Sequence, residues 1–171
     1  AGEFRYKTKN SEGFFYGEYL PNDRQFEDED RSMYSFEHEQ RFNDQWRGRI
    51  DYNNVSATFY FSDFRNDVDS FSTTFVPRAA ELRYSGRWFS LDTRAYKYQP
   101  VDDTLNALNE PYERLPEFTF RARIPRGPGD LRFGLVSELV NYRQDIRVEG
   151  WRWDTTPSVR LPLRNTWGYF E

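Results

Sequence analysis

Apolar and charged side chains alternate with a period of two along most of this chain. Phe118 and Phe120, for example, are separated by Thr119 and followed by Arg121, and the same alternation runs through residues 3–8, 46–53 and 131–139. Because successive side chains of a β-strand point to opposite faces, this pattern predicts strands with one apolar face and one charged face.

Two kinds of connection separate the predicted strands, and they alternate along the chain. Short turns are predicted at residues 10–13, 43–45, 85–87, 126–130 and 164–166, where Gly, Pro, Asn and Asp cluster. Longer loops are predicted at residues 21–30, 54–70, 100–115 and 142–150. About ten strands fit between these breaks, the first and last incomplete, which is the hairpin spacing of a transmembrane β-barrel.

Aromatic residues make up 19% of the 171 residues, with 16 Phe and 12 Tyr, although only 37% of the chain is hydrophobic and 30% is charged. Strands favour aromatic residues, and disordered chains lack them. Several aromatic residues fall near predicted strand ends on the apolar faces, as expected for the girdles of a membrane barrel: Trp46, Tyr52, Trp88, Tyr96, Tyr98, Trp151 and Trp153. The predicted fold is therefore all-β, an antiparallel transmembrane β-barrel wall of about ten meander strands.

Few residues suit catalysis or metal binding. The chain has no cysteine and one histidine, His38, which we interpret as a polar position within a strand. The acidic residues 27–30 lack the alternate spacing of a calcium loop. Asp51, Asp92 and Glu117 are conceivable as a glycosidase pair, but nothing in the sequence fixes a separation between two of them. The sequence thus predicts no catalytic residue, metal site or cofactor, and its net charge of -4 argues against a nucleic-acid partner.

The charged face of the predicted strands is the candidate functional surface. The residues expected to line a water-filled lumen are Arg47, Arg49, Asp51, Asp92, Glu117, Arg121, Arg123, Arg132, Glu138, Arg152, Asp154 and Arg160. The residues expected to face lipid are Phe118, Phe120, Leu131, Phe133, Leu135 and Leu139. Such a lumen wall would be hydrated and salt-bridged. Its guanidinium groups also suit transient contact with anionic groups, particularly phosphates.

Several short sequences occur in an order that points to one family. Residues 3–6 (Glu-Phe-Arg-Tyr) are followed by residues 18–23 (Glu-Tyr-Leu-Pro-Asn-Asp), by Asp51-Tyr52 with Val55-Ser56, and by residues 60–64 (Tyr-Phe-Ser-Asp-Phe). Further on come residues 115–118 (Leu-Pro-Glu-Phe) and 156–163 (Thr-Pro-Ser-Val-Arg-Leu-Pro-Leu). In this order, over almost the whole chain, they resemble the C-terminal barrel domain of the LptD family of lipopolysaccharide-assembly proteins, also called organic solvent tolerance protein OstA.

The resemblance implies a place in the bacterial outer membrane. Members of the family join a periplasmic N-terminal domain of stacked β-structure to a very wide barrel of about 26 strands. A lipoprotein partner, LptE, plugs that barrel, and together they deliver lipopolysaccharide to the outer leaflet. Residues 1–171 would then form an early-to-middle part of the barrel domain. Their partners would be lipopolysaccharide, the LptE-type plug, outer-membrane lipid and the remainder of the parent barrel.

Parts of the family pattern do not occur in this chain. It has neither the periplasmic domain nor the family's cysteines, and the resemblance begins after the first strands, which form the family's lateral gate with the last. The start without methionine and the end within a predicted strand also lead us to expect a segment of a longer protein. No gate residue is therefore assigned, and the segment is expected to supply barrel wall rather than enzyme activity.

Two other interpretations stay open at the level of sequence. A general porin or other transporter barrel needs the same alternation of side chains. A soluble β-sandwich that binds carbohydrate also alternates, and it would use Trp and Tyr side chains as sugar platforms. The order of the family sequences favours the lipopolysaccharide translocon over both.

Overall fold

Nine antiparallel strands form one sheet in the part of the chain that the computed structural model describes, which is residues 1–24, 29–57, 60, 75–101, 110–125, 127–165 and 168–170. The strands of this sheet are β1 (Gly2–Lys7), β2 (Ser11–Asp23), β3 (Glu29–Arg41), β4 (Trp46–Val55), β5 (Phe75–Ser85), β6 (Phe89–Pro100), β7 (Glu113–Ile124), β8 (Arg132–Arg143) and β9 (Gly150–Arg160). Two short strands, β10 (Leu163–Asn165) and β11 (Gly168–Phe170), form a separate hairpin, and one turn of 3-10 helix covers Pro128–Asp130.

The sheet is an open meander. Each strand pairs with the strand before it and the strand after it, so that β1 and β9 are its two edges. The extensive contacts between the described strands are those between sequence neighbours, whereas a β-sandwich needs a second sheet packed on the first. The all-β antiparallel fold is confirmed. The sheet has nine strands because β9 ends at Arg160, just before Pro162, and the chain then enters the separate hairpin.

Cross-strand pairing joins the alternating patterns of single strands into two continuous faces. Phe15 of β2 lies opposite Phe4 of β1 and Phe36 of β3, and Tyr52 of β4 lies opposite Phe36. Directly opposite residues of antiparallel strands project to the same side of the sheet. We call the side that carries Phe15 the apolar face and the other side the charged face.

The prediction of a long loop at residues 21–30 is wrong. β2 continues to Asp23 and β3 begins at Glu29, while residues 25–28 lie outside the described part of the chain. The ladder shifts register between Leu20 and Asp23, and Asn22 has a left-handed backbone with φ 49°. A bulge therefore takes up Pro21 and Asn22, residue types that by themselves signal a turn.

The other connections lie close to their predicted places. Residues 8–10, 42–45 and 86–88 form the turns after β1, β3 and β5, and residues 125–131 join β7 to β8. The loop predicted at 142–150 shortens to 144–149, because β8 and β9 both extend into it, and the turn predicted at 164–166 is displaced by β10. Most of the loop predicted at 54–70 lies outside the described residues, and β4 extends into it to Val55. The loop predicted at 100–115 is shorter than predicted, because β7 begins at Glu113, and residues 102–109 lie outside the described part of the chain.

A second bulge lies in β7 at Leu115 and Pro116. The ladder to β8 shifts register between Arg114 and Glu117. Pro116 has no N–H to donate, and a bulge is one of the few places where a sheet accepts that. Arg114 and Glu117 pair with Tyr96 and Arg94 of β6, which are two residues apart. The bulge thus brings Arg114 and Glu117 onto the same face although they are three residues apart.

A small apolar core lies at the end of the sheet that carries the longer connections. Its buried residues are Met33, Val55, Tyr60, Val76 and Val101. Many large apolar side chains lie elsewhere and are exposed; Trp153 in β9, for example, is 75% exposed. No helix among the described residues is long and apolar enough to cross a membrane.

Candidate functional site: the charged face of the sheet

All twelve residues predicted to line a lumen lie on the charged face of the sheet. They come from β4 (Arg47, Arg49, Asp51), β6 (Asp92), β7 (Glu117, Arg121, Arg123), β8 (Arg132, Glu138) and β9 (Arg152, Asp154, Arg160). The register of the ladder therefore places on one face residues that the sequence separates by more than 100 positions.

One cross-strand row on this face alternates in charge over five strands. Its members pair directly from β3 to β7 and are Glu39, Arg49, Glu81, Arg94 and Glu117. Salt bridges join Arg49 to Glu39 at 3.6 Å, and Arg94 to Glu81 and to Glu117 at 3.9 Å each. Opposite charges that face each other across strands stabilise a sheet by about 0.2–1 kcal/mol per pair. The charge pattern therefore favours the observed register.

Asp92 lies at the centre of a neighbouring row. Its carboxylate accepts hydrogen bonds from Nε of Arg83 and from Nη1 of Arg121, the latter at 2.8 Å. The Asp92 side chain is only 7% exposed, whereas both arginine side chains are 54% exposed. The single methylene of Asp92 keeps its carboxylate near the strand, and the longer arginine stems reach past it. The cations are thus presented to solvent and the anion is covered.

Glu117 repeats this arrangement one step along the sheet. Nη1 of Arg114 lies 3.2 Å from its Oε2, and Nη1 of Arg94 lies 3.9 Å from its Oε1. The Glu117 side chain is again 7% exposed, against 51% for Arg114 and 34% for Arg94. This part of the charged face therefore shows guanidinium groups to solvent above two buried carboxylates.

Four members of this network are missing from the residues predicted by sequence, namely Glu81, Arg83, Arg94 and Arg114. Glu81 and Arg83 alternate with Ala80 and Leu82, and Arg94 lies in phase with Asp92, so the period-two pattern itself could have found them. Arg114 is different, because the bulge in β7 changes its phase relative to Glu117.

Tyr96 and Tyr98 lie on the charged face, so their prediction as girdle residues of the apolar face is wrong. They alternate in phase with Arg94 along β6, and Tyr96 lies opposite Ala79. The Tyr96 hydroxyl donates a hydrogen bond of 2.6 Å to Oε1 of Glu81. A tyrosine has a polar tip that suits a carboxylate partner, which is why it fits among these charges.

Five of the six residues predicted to face lipid share the apolar face. They are Phe118 and Phe120 in β7 and Phe133, Leu135 and Leu139 in β8, and each pairs with a residue of that face across the ladder. The sixth, Leu131, precedes β8 and belongs to the turn, where its amide donates to the carbonyl of Pro128. It therefore lies on neither strand face.

Aromatic rings contact one another across the apolar face near the short turns. Trp46, Tyr84, Phe89 and Phe120 come from the consecutive strands β4 to β7, with successive ring centroids 5.0, 5.0 and 5.7 Å apart. Of the other predicted girdle residues, Tyr52, Trp151 and Trp153 lie on this face toward the opposite end, and Trp88 lies in the turn after β5. Exposed apolar surface of this extent marks an interface with lipid or protein.

His38 lies within a strand, β3, as interpreted from the sequence, but on the apolar face and not among the charged residues. Its Nδ1 is hydrogen-bonded to the hydroxyl of Tyr6, and the ring of Phe36 stacks on it with centroids 6.2 Å apart. The Tyr6 ring crosses Gly13 of the intervening strand, where a Cβ would come within 2.4 Å of the ring. Glycine at this position lets Tyr6 reach and cover the imidazole.

Tyr60 fastens the connection after β4 to the strands β2 and β3. It is 3% exposed, and its hydroxyl donates a hydrogen bond of 2.6 Å to Oε2 of Glu18. The guanidinium of Arg31 lies 5.4 Å from the centre of its ring. Burial, and after it the hydrogen bond to Glu18, raise the pKa of Tyr60 far above its usual value. Tyr60 and Glu18 open two of the short family sequences, which the fold brings into contact.

Among the residues that the structure describes, no group of His, Asp and Glu is arranged to hold a metal ion. In the acidic cluster 27–30, residues 27 and 28 lie outside the described part of the chain. Asp92 and Glu117, which were conceivable as catalytic carboxylates, are each covered by two arginines. This arrangement is that of a salt-bridged surface.

Comparison with known proteins matches this architecture to one family. The model of the family LptD, described as LPS transport system D, matches residues 29–171. A relative from Pseudomonas syringae pv. syringae (strain B728a), named LPS-assembly protein LptD, is 31% identical over 98% of this chain and 21% of its own length. A relative of the same name from Alcanivorax borkumensis is 32% identical over 99% of this chain and 23% of its own length.

The relative from Ectopseudomonas mendocina is 29% identical over 99% of this chain and 21% of its own length. The chain thus spans about a fifth of the length of the curated relatives that it matches. The family model covers most of the sheet, from the start of β3 onward, and on that match the chain belongs to the LptD family.

Proposed function

We propose that residues 1–171 form part of the wall of an outer-membrane β-barrel that delivers lipopolysaccharide to the outer leaflet of the Gram-negative outer membrane. In this proposal the charged face lines the lumen and the apolar face contacts lipid. The mechanism is physical: a wide polar lumen accommodates the saccharide, and the apolar outer surface anchors the wall in the bilayer. The lumen also accommodates an LptE-type lipoprotein plug.

The observation that carries the proposal is that most charged residues of the strands lie on one face of a single-layered sheet of an LptD family member, with exceptions such as Arg78 and Lys97 on the apolar face. Transmembrane barrels alternate apolar residues that face lipid with polar residues that face the lumen. The charged rows on one face and the aromatic contacts on the other support this orientation. The family description as LPS transport system D supports the cargo.

The two open edges support a place within a larger barrel. Lipid cannot satisfy the unpaired N–H and C=O groups of β1 and β9, so in a membrane each edge needs a partner strand. The same topology argues against a soluble β-sandwich. A general porin would share the two faces but not the family match, which favours lipopolysaccharide transport over solute diffusion.

Depletion of the full-length protein in a bacterium that carries it tests the proposed function. The gene is placed under an inducible promoter, surface lipopolysaccharide is measured on intact cells with an impermeant labelled probe, and total lipopolysaccharide is measured in whole-cell extracts. We expect the surface signal to fall while the total persists, and wild-type protein to restore it. Unchanged surface lipopolysaccharide with slower uptake of hydrophilic solutes would support a porin instead and would refute the proposal.

A further inference from the structure

Four arginines project from the centre of the charged face as one group. These are Arg83 of β5, Arg94 of β6, and Arg114 and Arg121 of β7, and we call them the arginine patch. Each is held by a carboxylate that is almost completely covered, Asp92 for one pair and Glu117 for the other. The patch therefore presents its cations to solvent while its anions lie beneath them.

The carboxylates position the arginines without cancelling their charge. Four guanidinium groups sit over two buried carboxylates, and the nearby Glu81, which is 3.9 Å from Arg94, leaves the group with an excess of one positive charge. A guanidinium has five N–H donors, so one carboxylate contact leaves donors that can reach a ligand. Asp92 and Arg94 are two residues apart on β6, which separates the two arginine pairs by roughly 7 Å along the strand.

This geometry selects a phosphate as ligand. Arginine forks bind phosphate oxygens through two parallel hydrogen bonds, and such charge-assisted bonds are about twice as strong as neutral ones. A ligand with several anionic groups could contact both pairs at once. Neutral sugars would gain no comparable interaction from exposed guanidinium groups.

We propose that the arginine patch is a contact site for the phosphate groups of lipopolysaccharide during its passage along the lumen wall. The proposal rests on the proposed function, which supplies lipopolysaccharide as the cargo, and it names the residues and the chemistry by which this part of the wall contacts it. The patch would hold the glycolipid transiently, because its charges face water and are screened by salt.

Photocrosslinking in living cells tests where lipopolysaccharide passes. Ser90 lies opposite Arg121 on the charged face, and Leu91 lies opposite Phe120 on the apolar face. Each is replaced in turn by p-benzoylphenylalanine in the full-length protein, and crosslinked lipopolysaccharide is detected by immunoblot. We expect a crosslink from position 90 and none from position 91. A crosslink from position 90 to a protein instead of the glycolipid would overturn the proposal.

Matched variants separate the patch from the rest of the face. The patch variant Arg83→Gln/Asp92→Asn/Arg121→Gln removes two cations together with the carboxylate that they cover, so that no buried charge is left alone. The control variant Arg132→Gln/Arg160→Gln removes two cations that lie opposite each other between β8 and β9 on the same face. The crosslink from position 90 should fall about tenfold in the patch variant, the ratio that corresponds to one lost charge-assisted hydrogen bond, and should persist in the control.

Binding by the purified full-length protein identifies the recognised group. Wild type in detergent micelles is titrated with purified lipopolysaccharide and with the same material after chemical removal of its phosphates. We expect wild type to bind the phosphorylated form about tenfold more tightly, and the patch variant to lose this preference. Equal binding of both forms by wild type, or an equal loss for both forms in the patch variant, would overturn the proposal.

The outcomes also separate this proposal from the proposed function. Lipopolysaccharide that crosslinks elsewhere in the full-length protein but never at position 90 would refute the contact site at the arginine patch and would leave the proposed transport function standing. Surface lipopolysaccharide that does not depend on the protein at all would refute both the contact site and the proposed transport function. Heat-modified gel mobility of each variant confirms that its barrel is folded before either experiment is interpreted.

Discussion

Removal of the anion and removal of the cations around Asp92 should have very different consequences for stability. In the Asp92→Asn variant the guanidinium groups of Arg83 and Arg121 lose a partner, but both side chains are 54% exposed and can turn to water. Two charge-assisted hydrogen bonds are then exchanged for hydration and for a neutral amide. We expect a loss of about 1–2 kcal/mol in the free energy of unfolding.

The double variant Arg83→Gln/Arg121→Gln removes the cations and leaves the carboxylate. The Asp92 side chain is 7% exposed, so its charge has little access to water once both arginines are gone. Loss of the partner of a buried charge typically destabilises by about 3–5 kcal/mol. We expect the lower end of that range here, because the neighbouring face is hydrated. The triple variant with Asp92→Asn should recover about 2 kcal/mol of this loss, since no uncompensated charge is left.

Urea unfolding of the full-length protein in phospholipid vesicles, followed by tryptophan fluorescence, measures these differences. The variant Arg132→Gln/Arg160→Gln is the control for the loss of two arginines from the same face. Wild type should be the most stable, Asp92→Asn and the triple variant should follow at about the same level, and the double variant should be the least stable. If Asp92→Asn proves as destabilising as the double variant, Asp92 is not a covered anion beneath exposed cations, and the account of the charged face fails.

Four further predictions concern the faces, the orientation, the loop anchor and the edges. Leu135→Arg on the apolar face should destabilise the full-length protein by about 2–4 kcal/mol if residue 135 lies near the bilayer midplane. Glu138→Gln on the charged face should destabilise it much less, and equal urea midpoints for the two variants would contradict the facial assignment. A single cysteine at Arg24, near the longer connections, should react with an impermeant reagent on whole cells and one at Asp44 should not, because long loops of such barrels are extracellular; preferential reaction at position 44 would reverse the orientation. Tyr60→Phe removes the hydrogen bond to Glu18. The variant should lower the free energy of unfolding by about 1 kcal/mol and speed proteolysis of the connection after β4. Unchanged proteolysis would show that this hydrogen bond does not hold the connection in place. Residues 1–171 refolded alone into detergent should not give a monodisperse, heat-modifiable monomer, and such a monomer would mean that the segment closes by itself.

The facial arrangement was predictable because the pleat of a strand enforces a period of two. Once each strand is in register, every residue of the same parity joins one face, so the position of Arg121 in sequence already determined its side. The prediction fails where the phase changes and where chemistry takes priority over phase, and it also omits Glu81, Arg83 and Arg94 although their phase is regular. Arg114 was missed because of the bulge at Pro116, and Tyr96 was placed with the girdles although its parity is that of Arg94.

Connection lengths were less predictable, because turn-forming residues also occur within strands. Pro21 and Asn22 lie in a bulge that continues β2, where a missing N–H and a left-handed backbone are both tolerated. The contact between Tyr60 and Glu18 joins residues 42 positions apart, which no local pattern encodes. The buried state of Asp92 was likewise invisible in sequence, since it depends on arginines from two neighbouring strands.

The direction of the edge strands constrains how the barrel can close. With nine strands that alternate in direction, β1 and β9 run the same way, so that pairing them would require a parallel ladder in an antiparallel sheet. Bacterial barrels formed from one chain have an even number of antiparallel strands, and strand number is linked to shear and tilt. Closure with the observed pairing therefore takes an odd number of further strands between β9 and β1. Every residue of β9 is exposed, including Trp151 and Trp153 on the apolar face. Such exposure is expected of a strand whose next partner strand is not part of this sheet. In the proposed function, the strands that complete the wall therefore also set the width of the lumen that the charged face lines.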